Sequence, residues 1–327
     1  MIILSEQEIM QHYTMDDALK DVEAGLIAKN KGLIENPPRT VIEIPERSAS
    51  SLNMPSADLS KEMFAMKVVT IFPENPQNNL PTTQGVLLLS DATDGQHLAL
   101  MDASYLTRLR TGALSGLATD KLARKNSRVL GVIGTGGMAF EQVLAVLAVR
   151  QIESIILFNR TEKKAHVFKQ KLREFDVQQR IMIVNDVRDV MKLSDIINCA
   201  TRSNTPVFDG KDLRPGTHIN GVGSYLPTMR EVDLTTIERT DKIVVDDLQA
   251  VQEEAGELIY AANESNWSFS KVYGELRDII ETDGLVRKDD QEITFFKSVG
   301  TAYFDLVVAI GTYEKAKQLN LGQKVTL

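Results

Sequence analysis

The chain of 327 residues is 43% hydrophobic and 25% charged, the make-up of a globular protein with room for two domains. Its net charge of −8 excludes the broad basic surface that nucleic-acid phosphates require, while leaving room for a local cationic cleft that takes a small anion. One cysteine, Cys199, excludes an intrachain disulfide framework, and the four histidines (His12, His97, His166, His218) share no ligand spacing, so no metal site is expected.

No positive segment precedes an apolar run at the N-terminus, and no stretch reaches the roughly 18 apolar residues of a membrane span. A cytoplasmic chain with neither membrane nor nucleic-acid partner is the expectation. A short strand, Ile2 to Leu4, leads into Ser5-Glu6-Gln7-Glu8, a capping box that starts a helix. A second box, Thr14 to Asp17, opens a longer helix whose apolar positions Met15, Ala18, Leu19, Val22 and Leu26 keep helical spacing, with Gly32 to close it. From Arg39 to Asp102 the texture is β. Runs at Thr40–Ile44, Phe64–Phe72 and Gly85–Ser90 are punctuated by Pro37-Pro38, Pro73, Pro76, Pro81 and Asp94-Gly95, which predicts an antiparallel or mixed sheet. A helix from about Ala103 to Ala123 follows.

At Arg128 the pattern becomes alternating. Strands are predicted at Val129–Ile133, Ile155–Phe158, Ile181–Val184, Asp195–Cys199, His218–Val222 and Lys242–Val245, the last completing the series. Helices at Phe140–Val149, Glu162–Phe175 and through Met191 separate them. Such alternation predicts an α/β fold with a doubly wound parallel sheet of Rossmann type. The last long element, Val299 to Leu319, is a helix apolar on one face, expected to pack back on the first domain.

Val129-Leu-Gly-Val-Ile-Gly134-Thr135-Gly136-Gly137-Met138-Ala139 is a G-x-G-x-x-A fingerprint between a strand and a helix. Gly134 permits the tight turn, Gly136 lets a pyrophosphate approach the backbone, and Ala139 permits close helix–strand packing. The amides of Gly136, Gly137 and Met138 stand at a helix N-terminus, where an anion is favoured. At the end of the next strand an NAD site usually places a carboxylate on the ribose; here stand Asn159-Arg160-Thr161. A guanidinium can hold a 2′-phosphate bidentately, so NADP(H) is expected as cofactor, with NAD(H) second. Ala200, Thr201, Val222, Gly223 and Ser224 follow the ends of later strands and are expected to border the nicotinamide. Cys199 has no activating histidine adjacent in sequence and reads as packing.

Three isolated cations occupy the first domain: Arg39 after Pro37-Pro38, Lys67 inside an apolar β run, and Arg110 in Leu109-Arg110-Thr111-Gly112. A mid-strand lysine is costly to bury without an anion. Together with Pro38-Arg39, Met66-Lys67, Leu80-Pro81-Thr82, Leu109–Ala113, Gly134–Ala139, Val222–Asp233 and Lys297-Ser-Val-Gly300, these segments resemble the ornithine cyclodeaminase/μ-crystallin family over essentially the whole chain. The resemblance implies a homodimer built on a smaller α+β domain, residues 1–122 with 300–327, that also binds substrate, beside a dinucleotide-binding domain, residues 123–299. It implies that Arg39, Lys67 and Arg110 contact a substrate carboxylate with Thr82 nearby, and that Thr111 and Gly300, in the most family-specific stretches, join the cofactor set.

The family covers cyclodeamination of ornithine or lysine, alanine dehydrogenation and reduction of cyclic ketimines. Its cyclodeaminases carry an aspartate two residues before the proline of the Val222–Asp233 loop; here that position is Tyr225. A phenol donates a hydrogen bond but is a poor base near neutrality. The expected chemistry is therefore reduction of a cyclic α-imino acid such as pyrroline-2-carboxylate or piperideine-2-carboxylate, with Lys67, Arg110 and Tyr225 as catalytic residues. A cyclodeaminase, an alanine dehydrogenase and a non-catalytic NADP-binding protein stand as alternatives.

Overall fold

A computed structural model describes residues 1–326, so the last residue of the 300–327 segment lies outside the described residues. The chain divides into two compact units, Met1–Arg110 with Thr301–Leu327, and Thr111–Gly300. The division falls inside the helix Ala103–Leu122, earlier than the boundary after residue 122 that the sequence suggested, because one continuous helix serves both units.

The first unit is built on a mixed eight-stranded sheet. Its strands are β1 (Ile2–Leu4), β2 (Ile34–Glu35), β3 (Thr40–Ile44), β4 (Ala49–Asp58), β5 (Met63–Ile71), β6 (Thr83–Asp91), β7 (His97–Asp102) and, from the far end of the chain, β16 (Gln323–Lys324). The order is β16-β1-β7-β6-β5-β4-β2, with β3 on β4. The helices at Glu6–His12 and Met15–Asn30 start at the two expected capping boxes, where Glu8 and Asp17 carboxylates accept the Ser5 and Thr14 amides. Strand β4 was not foreseen. Its Ala-Ser-Ser-Leu-Asn-Met-Pro-Ser-Ala-Asp sequence has little intrinsic β preference, and nine-residue antiparallel pairing with β5 decides its conformation.

Side chains alternate along β5. Ala65 and Lys67 point to the buried face, whereas Phe64 and Met66 are exposed on the other. Met66 pairs with Pro55 and Leu88, and Val68 with exposed Val86, so that outer face is apolar over several strands. On the buried face, the Ser56 hydroxyl donates to the Ala302 carbonyl at 3.2 Å and the Tyr303 amide donates to Asn36 Oδ1 at 3.1 Å, fixing the C-terminal helix Ala302–Leu319 to this unit.

The second unit is a parallel sheet in the order β10-β9-β8-β11-β12-β15-β13-β14. Its strands are β8 (Val129–Ile133), β9 (Ser154–Phe158), β10 (Arg180–Ile183), β11 (Ile196–Cys199), β12 (His218–Gly221), β13 (Lys242–Val245), β14 (Gly274–Glu275) and β15 (Thr294–Lys297). The central strands are buried along their length, as a sheet covered on both faces requires. The series does not end at β13: β15 inserts between β12 and β13. Strand order reverses between β8 and β11, which marks the crevice where a doubly wound sheet takes its ligand.

A buried polar ladder crosses this sheet. Asn220 Nδ2 donates to Asn198 Oδ1 at 2.9 Å and to Thr119 Oγ1 at 3.0 Å, and Asn220 Oδ1 lies 3.1 Å from His218 Nε2. Burial pulls the His218 ring down to about 3, so it is neutral. The His218 Nδ1 lies 2.9 Å from the Thr294 hydroxyl, which also donates to the Leu122 carbonyl at 3.2 Å.

Candidate active site

The glycine-rich turn expected to take a dinucleotide forms at the switch point. Gly134 has φ +89°, and its amide donates to the Phe158 carbonyl at 3.0 Å. A Cβ there would stand 2.6 Å from the Thr201 methyl and 2.9 Å from the Ala200 carbonyl, so both conformation and space demand glycine. Asn159 ties the turn down: its Oδ1 accepts the Thr135 amide at 3.1 Å, and its Nδ2 donates to the Thr161 carbonyl at 3.0 Å. No side chain caps the helix Ala139–Val149 at Met138. Space is open beside Gly136 and Gly137, and the Thr135 hydroxyl is buried without a partner. A helix N-terminus without a side-chain cap, beside open space and an unsatisfied hydroxyl, fits a pyrophosphate. A cavity of about 460 Å³ borders Thr135, Gly136 and Gly137 and continues past Phe140 to Thr161 and Lys164. Arg160 is exposed at the end of β9.

The expected nicotinamide border is organised by a residue the sequence did not single out. Glu231 is fully buried, and its carboxylate accepts the Thr201 amide at 2.6 Å, the Thr201 hydroxyl at 2.8 Å and the Gly223 amide at 2.7 Å. It thereby ties together the segments that follow β11 and β12. A Cβ on Gly223 would lie 2.0 Å from the Thr201 carbonyl, so only glycine allows this approach. Burial raises the Glu231 carboxyl and Lys297 opposes the rise. Beneath this loop the Lys297 ammonium meets Glu257 at 3.0 Å and donates to the Ser224 carbonyl at 2.6 Å. The Cys199 thiol is buried and pushed well above its ordinary range, first by burial and then by Glu231, which suits packing rather than nucleophilic chemistry. Tyr225 is half-buried, and its hydroxyl accepts a hydrogen bond from Arg202 Nη2 at 2.9 Å. Gly300, at φ +81°, donates its amide to Asp246 Oδ2 at 2.7 Å.

In the first unit the expected cations converge. Lys67 emerges from β5 between Met54 and Leu87, its register partners, on the buried face. Its Nζ lies 2.5 Å from Asp305 Oδ2, and Arg110 Nε lies 3.2 Å from Asp305 Oδ1. The three side chains are only 3%, 6% and 2% exposed for Lys67, Arg110 and Asp305 respectively, so this is a desolvated cluster rather than a surface pair. Burial would raise the Asp305 carboxyl, yet Arg110 and Lys67 hold it below the usual carboxylate range. Burial lowers the Lys67 ammonium to about 8, with Arg110 and Arg39 assisting and Asp305 opposing. Arg39 thus belongs to the same electrostatic neighbourhood. Thr82 does not lie beside Lys67: it precedes Thr83, the partner of Ile71, about 14 Å along the strand from Lys67.

Asp305 had a signal in sequence, a lone acid in Ala-Tyr-Phe-Asp-Leu-Val-Val-Ala, but nothing local named its partners. Among the described residues no group of three or more metal-ligating side chains comes together, and no helix is long and apolar enough to cross a membrane.

Residues 1–320 match the ornithine cyclodeaminase/mu-crystallin family. The chain is 38% identical to a Δ1-pyrroline-2-carboxylate reductase of Bacillus cereus over 99% of both chains. The Δ1-pyrroline-2-carboxylate reductase of Thermococcus litoralis, solved in complex with NADH and L-proline, superposes with a TM-score of 0.95 at 35% identity, covering 99% of this chain and 100% of that one. An archaeal alanine dehydrogenase, solved as a dimer with bound NAD, gives 0.92 at 32% identity, covering 99% and 98%. With a glycine-rich turn at the switch point of one unit, a buried cationic cluster in the other and likeness along its whole length, the chain belongs to the ornithine cyclodeaminase/mu-crystallin family.

Proposed function

We propose that this protein is an NAD(P)H-dependent reductase of a cyclic α-imino acid, converting Δ1-pyrroline-2-carboxylate or its six-membered homologue to L-proline or the corresponding ring amino acid. The observation that carries the reading is the buried Lys67–Asp305–Arg110 cluster, which holds more positive than negative charge and so calls for a carboxylate. The Bacillus and Thermococcus relatives named for this reaction support it.

Gly134 to Ala139, Asn159 to Thr161, Ala200, Thr201, Val222 to Ser224, Thr111 and Gly300 would hold the dinucleotide, which supplies a hydride when bound. Arg39 and Arg110 clamp the substrate carboxylate. Lys67 gives a proton to the imine nitrogen, making the α-carbon electrophilic, and Tyr225 offers a neutral hydrogen bond. The balance is one imine, one hydride and one proton to one secondary amine. Among dinucleotides NADP(H) is the first choice, because Arg160 stands where a ribose-binding carboxylate would exclude a 2′-phosphate. The exposed apolar face carrying Phe64, Met66 and Val86 supports a homodimer. A lone buried thiol suits the reducing cytoplasm.

The test is oxidation of NADPH and NADH by purified protein with pyrroline-2-carboxylate, piperideine-2-carboxylate, or pyruvate plus ammonia. Turnover of a cyclic imine is expected. A clear preference for pyruvate and ammonia would establish the second reading, an alanine dehydrogenase, which the 32% identity to such an enzyme makes the specific rival.

A further inference from the structure

We propose that Asp305 is a positioning residue for the reduction, holding the Lys67 ammonium on one carboxylate oxygen and the Arg110 guanidinium on the other so that both are aimed before the imino acid arrives. The proposal rests on the reading of this cluster as the site of imine reduction.

Three elements meet at this point: β5 with Lys67, the helix Ala103–Leu122 with Arg110, and the helix Ala302–Leu319 with Asp305. Lys67 and Asp305 are 238 residues apart in sequence, so the contact is made only by the finished fold. Its charge count distinguishes it from the other buried lysines. Lys242 meets Glu292, and Lys297 meets Glu257 with Glu231 also acting on that neighbourhood, so each has at least one carboxylate to itself. Asp305 is shared between two cations, and the charge of Arg39 reaches Lys67 as well. A desolvated carboxylate shared by two cations leaves the cluster favourable to a further anion. The pair to Asp305 uses Arg110 Nε, so the terminal nitrogens form the edge suited to a carboxylate fork. Of the three donors on the Lys67 ammonium, one is spent on Asp305.

The same contact governs protonation. The charged groups acting on Lys67 are Asp305 from the C-terminal helix, Arg110 from its own helix and Arg39 from the segment ahead of β3, while the flanking Met54 and Leu87 are apolar. Burial and both arginines favour the neutral amine, and Asp305 opposes them through its charge and its hydrogen bond. Without its charge Lys67 loses its proton at lower pH.

The experiment compares wild type with Asp305→Asn and Asp305→Glu. For wild type, kcat/KM for pyrroline-2-carboxylate reduction falls as pH rises through about 8. In Asp305→Asn that limb moves at least one pH unit lower and KM rises at least tenfold, while Asp305→Glu restores the limb. Superimposable profiles for Asn and wild type overturn the proposal, as does a Glu variant that behaves like Asn. NMR titration of [13Cε]lysine-labelled protein, with Lys67 assigned through Lys67→Met, reads the same ionisation without turnover. A protein that fails to reduce the imine refutes the functional reading and still leaves the Asp305 effect measured. If Asp305→Asn does not fold, Lys67→Met is compared with Lys67→Met/Asp305→Asn for binding of pyrrole-2-carboxylate, a planar unreactive analogue. At least tenfold weaker binding by the double variant supports the aiming of Arg110, and equal binding refutes it.

Discussion

Asn159 Oδ1 accepts the Thr135 amide at 3.1 Å, so the segment that carries Arg160 is hydrogen-bonded to the turn that would carry the pyrophosphate. Arg160 therefore projects from a backbone held at a fixed distance from the glycine loop. Arg160→Ala is expected to weaken NADPH binding roughly 10- to 100-fold through lost charge-assisted hydrogen bonds, while NADH binding barely changes. Dissociation constants for both nucleotides check this. Tighter NADH binding by the wild type would sink the NADP assignment.

Lys67→Met and Arg110→Ala are each expected to lower kcat/KM for the imine more than tenfold with unchanged nucleotide affinity, since both lie outside the unit that bears the cradle. A smaller effect would mean a loss of under about 1.4 kcal/mol of transition-state stabilisation, too little for the assigned role. The pH sign follows from Lys67 acting as an acid. Its protonated form is present below about 8 and vanishes above it, so reduction should slow about tenfold per pH unit on the alkaline side. Rates that rise through that range would refute the acid role.

How far these residues were legible in sequence depends on the range of the forces that place them. The glycine fingerprint and both capping boxes are local, set by neighbours within a few residues, and could be read directly. Lys67 announced itself as a cation inside an apolar strand. Its answer, Asp305, did not, because the contact requires the C-terminal helix to return across a sheet formed by the first third of the chain. Strands β4 and β15 escaped for the same reason. Ser50, Ser51 and Pro55 do not favour strand by themselves, and Thr294–Lys297 joins its sheet only through β12 and β13. Glu231 was equally silent, since it satisfies backbone amides that a sequence does not show as unsatisfied.

His218 gives a stability test independent of catalysis. Its folded-state value of about 3 lies below its ordinary 6.5, so the unfolded chain binds one more proton between those values. The sign is that of a depressed group: stability is complete above 6.5 and is lost as pH falls toward 3. From pH 6.5 to 5.5 this residue alone should cost about 1 kcal/mol. Urea unfolding at the two pH values, compared with His218→Gln, checks it. The variant starts less stable but should show that much less pH dependence, and an unchanged difference would contradict the neutral buried ring.

The homodimer is tested on the outer face of β5 and β6. Phe64, Met66 and Val86 are each more than a third exposed on one face of the sheet. Light scattering should give about twice the 36.4 kDa chain mass, and Met66→Glu with Val86→Lys should return the single-chain mass. A wild-type protein of single-chain mass at micromolar concentration would refute the pairing.

The sharpest expectation is that the enzyme reduces a cyclic ketimine and does not cyclise ornithine. Cyclodeamination needs a group that grips the distal ammonium of ornithine and manages protons as ammonia leaves, and a carboxylate suits both tasks. At the corresponding position stands Tyr225, whose hydroxyl accepts a hydrogen bond from Arg202 at 2.9 Å. Tyr225 thus offers no carboxylate to a distal ammonium, and its hydroxyl is already engaged by a guanidinium. A cyclic imine carries no distal ammonium and needs no such carboxylate. Product analysis with L-ornithine and either oxidised nucleotide decides the matter: no proline or ammonia should form at a rate near that of imine reduction. Comparable turnover would overturn the assignment. Tyr225→Asp alone should gain little while Arg202 remains to pair with the new carboxylate, whereas Tyr225→Asp with Arg202→Ala should gain measurable ornithine turnover. If the single variant outperforms the double one, the argument from Arg202 fails.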